Sequence, residues 1–389
     1  MYNFDEIIDR RGTNSYKWNV KDGELPMWVA DMDFRAAPAI LKAIQERAAH
    51  GIFGYSHIPP AWNEAICGWW QRRHNFALSP DWLIFCTGVV PAISSVVRKL
   101  TTPGENVLIQ TPVYNVFFNC ILNNGRRVLE SPLALTEQGY AMDFIDLEAK
   151  LSDPQTTLML LCNPQNPGGA IWDRETLRRV GELCARHHVL VLSDEIHCDI
   201  ADPGSAYVPF ASVSETCRKN SVTCLAPTKA FNIAGLKSAA VSVPHPVLRH
   251  KVWRALNTDE VAEPNAFAID AAIAAFTQGD AWLDELCAYV AENKRLLREF
   301  IARELPQIKA VPGKATYLCW LDCRALPRSE CLARSLREKA WLYVSDGAQY
   351  GQCGTGFLRV NLACPRSLVE DGLERLKKGI QKHVKQYAK

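Results

Sequence analysis

Short apolar segments alternate with amphipathic helical patterns through the middle of the chain, and this alternation constrains the fold more than any other feature. The segments are apolar on both faces, as strands of a parallel sheet covered by helices must be. They lie at 83–86, 107–110, 157–162, 189–194 and 221–226. The alternation predicts an α/β fold: a large domain with a mostly parallel, doubly wound sheet.

The last third of the chain has a different pattern, with long helices and few strands. Helical patterns cover 263–276, 281–304 and 329–340, strand patterns cover 315–322 and 357–363, and a closing helix starts at Arg366. This mixture predicts a smaller α+β domain. We expect residues 46–275 to form the large domain, and residues 1–45 together with 276–389 to form the small one.

Composition and charge exclude several classes of partner. The 389 residues carry a net charge of +2 with Lys and Arg scattered, so neither a nucleic-acid partner nor a membrane surface is expected. The 14 cysteines form no C-x-x-C pair, which favours reduced core thiols over a metal site. The charged N-terminus lacks the apolar stretch of a signal peptide, and no apolar run reaches membrane-spanning length. A cytoplasmic protein is expected.

Polar and glycine-rich segments follow the predicted strands, where ligands bind in open α/β sheets. Thr87-Gly88-Val89-Val90 opens a helix, and a helix N-terminus prefers an anion. The other segments are Thr111-Pro112-Val113-Tyr114, Asn163-Pro164-Gln165-Asn166-Pro167-Gly168-Gly169, Asp194-Glu195 and Pro227-Thr228-Lys229-Ala230-Phe231-Asn232.

Each of these segments also has a purely structural interpretation. Tyr114 can be a packing residue, the 163–169 loop a turn, and Asp194 a cap. Together they supply what a phosphorylated pyridine aldehyde requires. These are a lysine for a Schiff base, a carboxylate for the ring nitrogen, an amide for the phenolate, an aromatic ring and a phosphate-binding helix N-terminus.

In this order the motifs resemble the fold-type I enzymes that bind pyridoxal 5′-phosphate (PLP), within the class I/II aminotransferase superfamily. The shared motifs are the N-P-x-N-P-x-G loop at 163–169, Asp194 at a strand end, Thr228-Lys229 followed by Phe231-Asn232, and Arg359 in a late strand. Residues 28–34, 51–55 and 194–197 are most similar to the MalY/PatB-type cystathionine β-lyases, which are C–S lyases.

The resemblance implies a role for each cofactor-binding residue. Lys229 would form the Schiff base with PLP and then act as the base at the substrate Cα. Asp194 would pair with the ring N–H⁺, Asn166 would donate to the phenolic oxygen, and Tyr114 would stack on the ring. The phosphate would be bound by the backbone of Val89 and Val90 and by Thr228.

The same resemblance implies the substrate and the assembly. Arg359 would bind the α-carboxylate of a small amino-acid substrate through two hydrogen bonds. Tyr55 would reach the phosphate in the neighbouring subunit's site, which implies a homodimer.

Three positions depart from the superfamily pattern. His197 stands where a tyrosine is usual, and either donates to the phenolic oxygen or faces the substrate. Ala226 replaces a serine, so one phosphate hydroxyl is missing. Lys237 replaces an arginine and provides charge without the two-pronged geometry, so a surface position is the alternative.

These observations predict a PLP-dependent C–S β-lyase that converts L-cystathionine or related cysteine S-conjugates into pyruvate, ammonia and a thiol. One alternative is a PLP-dependent aminotransferase, which would use the same residues. Another is a PLP-binding regulatory protein. Such regulators usually carry an added DNA-binding domain, for which the motif pattern, starting almost at Met1, leaves no room.

Overall fold

The computed structural model describes residues 2–387. The helices are α1 (Pro38–His50), α2 (Pro60–His74), α3 (Val89–Leu100), α4 (Val116–Leu122), α5 (Phe144–Leu151), α6 (Arg174–Arg186), α7 (Glu215–Lys219), α8 (Pro246–Thr258), α9 (Ala268–Gln278), α10 (Asp280–Glu304), α11 (Leu332–Ala340) and α12 (Arg366–Tyr387). The strands are β1 (Leu25–Pro26), β2 (Leu83–Cys86), β3 (Asn106–Ile109), β4 (Arg127–Glu130), β5 (Ala134–Thr136), β6 (Gly139–Ala141), β7 (Thr156–Cys162), β8 (Leu190–Asp194), β9 (Ser221–Leu225), β10 (Ala239–Ser242), β11 (Lys309–Ala310), β12 (Leu318–Asp322), β13 (Leu342–Tyr343), β14 (Ser345–Asp346) and β15 (Phe357–Asn361).

The central sheet has seven strands in the order β2-β10-β9-β8-β7-β3-β4. The five strands from β9 to β4 run parallel to one another. β10 runs antiparallel to both of its neighbours. The sheet is therefore mostly parallel, which confirms the predicted fold class.

Helices cover both faces of this sheet, because the strands are apolar on both sides. One face packs against α3 and α8 through a core that includes Val96, Val107 and Val252. The other face packs against α5 and α6 through a core that includes Leu147, Met159 and Val180. Burial on both faces makes the sheet a rigid platform for residues at its strand ends.

A second sheet of four antiparallel strands, in the order β11-β12-β15-β14, lies in the C-terminal third. It shares an apolar core with α10, α11 and α12. The short strand β1 pairs in parallel with β13, which joins the N-terminal segment to this part. We propose the division into a large domain at 46–275 and a small domain from the remainder. Its two limits fall within α1 and α9.

The register of the central sheet brings the predicted motifs together. Cys162 at the end of β7 pairs with Asp194 at the end of β8, and Asp194 pairs with Cys224 on β9. The loops that follow these three strands therefore leave the same edge of the sheet. Among the described residues, no helix is both long and apolar enough to cross a membrane.

Candidate active site

A cavity of about 220 Å³ lies at this edge of the sheet. Nine of the predicted site residues line it: Val89, Val90, Tyr114, Asn166, Asp194, His197, Thr228, Lys229 and Lys237. These residues come from five separate stretches of chain. The fold therefore brings together groups that the sequence shows only as separate strand-end motifs.

Asp194 is a buried carboxylate at the end of β8. It accepts a hydrogen bond from the backbone N–H of Ile196 at 3.1 Å. Burial, with a further contribution from the charge of Glu195, raises the pKa of Asp194 to about 7. A cationic N–H group bound in the cavity would stabilise the ionised form of this carboxylate.

Lys229 follows β9 and extends its amine into the cavity. Its Nζ donates a hydrogen bond to the carbonyl oxygen of Ala30 at 2.5 Å. Burial, and then the positive charge of Arg359, lower the pKa of Lys229 to about 8. A substantial fraction of this amine is therefore neutral near physiological pH and able to act as a nucleophile or a base.

His197 is buried beside these groups. Burial and the charges of Lys229 and Arg359 lower the pKa of His197 to about 3, so its imidazole is neutral. Its Nδ1 is buried and has no hydrogen-bond partner among the described residues. A buried polar atom of this kind is expected to contact a ligand or water.

Another group of lining residues is suited to an anion. Helix α3 starts at Val89, and no side chain caps its N-terminus. The first-turn N–H groups, including those of Val89 and Val90, thus lack intrahelical acceptors. Thr228 and Lys237 also line the cavity and provide a hydroxyl and a positive charge. This arrangement matches a phosphate group.

Arg359 is buried in the middle of β15 and is held next to the cavity. Its Nη1 donates to Asn166 Oδ1 at 3.2 Å, and its Nη2 donates to the carbonyl oxygen of Trp28 at 2.8 Å. The guanidinium also lies 4.9 Å from the centre of the Tyr350 ring. Its Nε is buried without a partner among the described residues. Arg359 can therefore donate further to a substrate carboxylate.

Two predicted site residues do not line the cavity: Arg359, which is bonded to the lining residue Asn166, and Tyr55. The side chain of Tyr55 is fully exposed, with a relative accessibility of 102%. Ile52 and Phe53 beside it are also exposed. The role predicted for Tyr55 in a neighbouring subunit therefore remains a prediction.

Sequence reasoning missed the contribution of the N-terminal segment to the cavity. Ala30 lines the wall and accepts the hydrogen bond from Lys229. The motif at 28–34 was visible in the sequence, but it pointed to a family branch and not to a position in the site. A small apolar residue carries no chemical signal, and the contact is made by its backbone carbonyl.

The described residues fit pyridoxal phosphate. Asp194 is matched to a protonated ring nitrogen and Lys229 to an aldehyde carbon, while the uncapped N-terminus of α3 is matched to a phosphate. The unpaired His197 Nδ1 lies in the same site.

Comparison with known proteins supports the same interpretation. The family model described as aminotransferase class I and II matches residues 27–376. Cystathionine beta-lyase PatB of Bacillus subtilis is 45% identical over 383 residues, covering 96% of this chain and 99% of that protein. Protein MalY of Escherichia coli is 34% identical, covering 97% and 98%.

A solved structure has nearly the same fold. Cystalysin from Treponema denticola, whose crystal structure contains pyridoxal 5′-phosphate, superimposes with a TM-score of 0.95. It is 30% identical, and the match covers 98% of this chain and 99% of cystalysin. The family predicted from the sequence motifs is confirmed: this chain belongs to the aminotransferase class I and II family.

Proposed function

We propose that the protein is a PLP-dependent C–S β-lyase that acts on L-cystathionine or related cysteine S-conjugates. The main observation in support of this proposal is that Lys229, Asp194 and Asn166 line the same cavity. Arg359 donates a hydrogen bond to Asn166 beside it. Relatives named as cystathionine beta-lyases align along nearly the whole chain. The cofactor and reaction predicted from the sequence agree with these relatives.

The chain's own residues would hold the cofactor at five points. Lys229 Nζ would bond to its aldehyde carbon, and Asp194 would pair with its ring N–H⁺. Asn166 and His197 would donate to its phenolic oxygen, and Tyr114 would cover one face of its ring. Its phosphate would be bound by the backbone N–H groups of Val89 and Val90, by Thr228 and by Lys237. When bound, PLP supplies an electron sink for the electron pair left at the substrate Cα.

Asn166 is oriented for its role by Arg359. Because its Oδ1 accepts from Arg359 Nη1, its amide N–H₂ remains available as a donor toward the cavity. The same contact places the arginine next to the substrate position. Arg359 then binds the α-carboxylate and fixes which substituent of Cα faces Lys229.

Lys229 moves the proton during the reaction. Once the substrate amine has displaced Lys229 from the cofactor, the neutral Lys229 amine would remove the proton from Cα. The lowered pKa of Lys229 favours this neutral form. The Cβ–S bond then breaks and the sulfur leaves with the electron pair as a thiolate. The remaining three-carbon fragment adds water and yields pyruvate and ammonia.

The reaction products test this proposal against the aminotransferase alternative. With L-cystathionine, we expect pyruvate, ammonia and thiol in equal amounts and repeated turnover without any keto acid. Transamination with 2-oxoglutarate should be at least about tenfold slower, a difference of ~1.4 kcal/mol in barrier. Conversion of the cofactor to its amine form without pyruvate would instead support an aminotransferase.

We also propose a homodimer with Tyr55 completing the partner's site. Four apolar or aromatic side chains are exposed in one short stretch of this chain: Ile52, Phe53, Tyr55 and Ile58. A run of exposed apolar groups of this kind is typical of a protein–protein contact. A cytoplasmic location is proposed as well, supported by cysteines that are free and mostly buried among the described residues.

A further inference from the structure

The carbonyl oxygen of Ala30 accepts hydrogen bonds from two side chains of the site. Lys229 Nζ lies 2.5 Å from it, and the Tyr317 hydroxyl lies 3.0 Å from it. Tyr317 directly precedes β12 and is 287 residues away from Ala30 along the chain. The lysine of the site and a tyrosine of the C-terminal third thus share one acceptor.

The backbone around Ala30 is held firmly on both sides. Asn361 Nδ2 donates to the carbonyls of Val29 and Asp31, each at 2.6 Å. Further along, Asn232 Nδ2 donates to Phe34 O at 2.8 Å, and its Oδ1 accepts from Met32 N–H at 3.0 Å. These contacts fix the neighbouring groups. Among the described residues, the Ala30 carbonyl itself accepts only from Lys229 and Tyr317, so the tyrosine is the contact that orients it when the lysine moves.

Tyr317 is a permanent donor at this position. Its side chain is completely buried, with its ring edge-on to His197 at a centroid distance of 6.1 Å. Burial, and then the charge of Asp31, raise the pKa of Tyr317 far above its usual value. The hydroxyl therefore keeps its proton across the physiological range and continues to donate.

We propose that Tyr317 is a positioning residue, which acts through the Ala30 carbonyl to hold the Lys229 amine where it removes the Cα proton. One N–H of the amine points at the carbonyl, so the direction of the nitrogen lone pair is restricted. After the proton moves from Cα to Nζ, the resulting ammonium keeps the same acceptor in a charge-assisted hydrogen bond. The proposal rests on the role of Lys229 proposed above, and it assigns Tyr317 a function beyond packing.

Proton exchange in the holoenzyme provides the first test. L-Alanine has no leaving group on Cβ, so exchange of its Cα proton in D₂O reports proton transfer alone. Tyr317→Phe should slow this exchange by about fivefold, as the loss of one hydrogen bond predicts. The exchange is followed by NMR, and its rate is normalised to the amount of bound cofactor. The isotope effect with Cα-deuterated L-cystathionine should increase, while KM stays unchanged. Tyr289→Phe, whose hydroxyl bonds to Asp5 and the Arg366 N–H, is the matched control and should exchange normally.

Labelling of the cofactor-free protein provides a second readout that does not depend on activity. A small acylating reagent should modify Lys229 about fivefold faster in Tyr317→Phe, because the carbonyl that holds the amine loses the contact that orients it. The largely exposed Lys42 in the same sample serves as the internal reference. An exchange rate within twofold of the parent, or unchanged labelling of Lys229, overturns the proposal. Because neither the alanine exchange nor the lysine labelling involves the C–S bond, the lyase assignment can fail without affecting these two measurements.

Discussion

Burial is the main physical influence on the ionisable residues of the candidate site. It is the largest cause of the raised pKa of Asp194 and of the lowered pKa values of Lys229 and His197. All three pKa shifts favour the uncharged form of the residue. A cofactor that brings a cationic ring nitrogen would reverse the effect at Asp194, while the partly neutral lysine and the neutral histidine remain suited to their proposed roles.

The charge of Asp194 is open to a direct test. Asp194→Asn keeps the shape of the side chain but cannot stabilise a protonated ring nitrogen. We expect correctly folded protein with activity reduced at least about 100-fold, or ~3 kcal/mol in barrier. The measurement is kcat/KM for pyruvate release, with circular dichroism to verify the fold.

Asp173→Asn is the matched control for this substitution. Asp173 caps α6 by accepting from Thr176 N–H, and asparagine caps helices about as well as aspartate. This variant should therefore retain parental activity. An Asp194→Asn enzyme within threefold of the parent would show that the carboxylate charge is not needed.

At the scale of elements, the loop at 163–169 places Asn166 by close packing. Gln165 Nε2 donates to Pro112 O at 2.5 Å, and Gln165 Oε1 accepts from Gly168 N–H at 2.7 Å. A Cβ atom on Gly168 would lie 2.6 Å from Tyr140 Cδ2 and 2.8 Å from Gln165 Oε1. Glycine is therefore required here for the close approach of neighbouring groups.

Gly168→Ala should accordingly destabilise the protein by about 1–3 kcal/mol, the usual cost of overpacking. Gly235→Ala is the control, because a Cβ atom there meets nothing within 4 Å. Urea unfolding of both variants measures the difference in free energy of unfolding. Equal stabilities for the two would mean that the loop relaxes around the added methyl group without cost.

Five of the seven central strands could be predicted from the sequence because they are continuous apolar runs that end in polar motifs. The other two, β4 and β10, were missed, because β4 is a part-exposed edge strand with a charged residue at each end and β10 is a short run of mostly small residues. The helix expected from residue 263 starts instead at Ala268, because Asn265 Oδ1 accepts from the Phe267 N–H in a turn before it. The contact between Ala30 and Tyr317 had no local signal, as it joins residues far apart in the chain through a backbone carbonyl.

At the scale of the whole molecule, the proposed dimer predicts that two impaired variants can complement each other. Lys229→Ala and Tyr55→Phe should each be strongly impaired when alone. In a mixed dimer, one site contains both an intact Lys229 and an intact Tyr55 from the partner subunit. Random mixing in equal amounts therefore yields about one quarter intact sites, and pyruvate release should recover accordingly.

A second mixture controls for effects of subunit exchange itself. Lys229→Ala combined with Asp194→Asn leaves one damaged residue in every site, since both residues belong to the same subunit's cavity. This mixture should remain inactive. If the first mixture also fails to recover although mixed dimers form, Tyr55 does not serve the partner's site.

Lys229, as the residue that bonds to the cofactor, is the centre of the proposed active site. Borohydride reduction of the holoenzyme joins the cofactor irreversibly to the amine that holds it, and peptide mass mapping then locates the added mass. We predict that the added mass lies on the peptide containing Lys229 and is absent from that peptide in the Lys229→Ala variant. Stoichiometric labelling of Lys237, or of any other lysine, in the parent protein would contradict the proposed site.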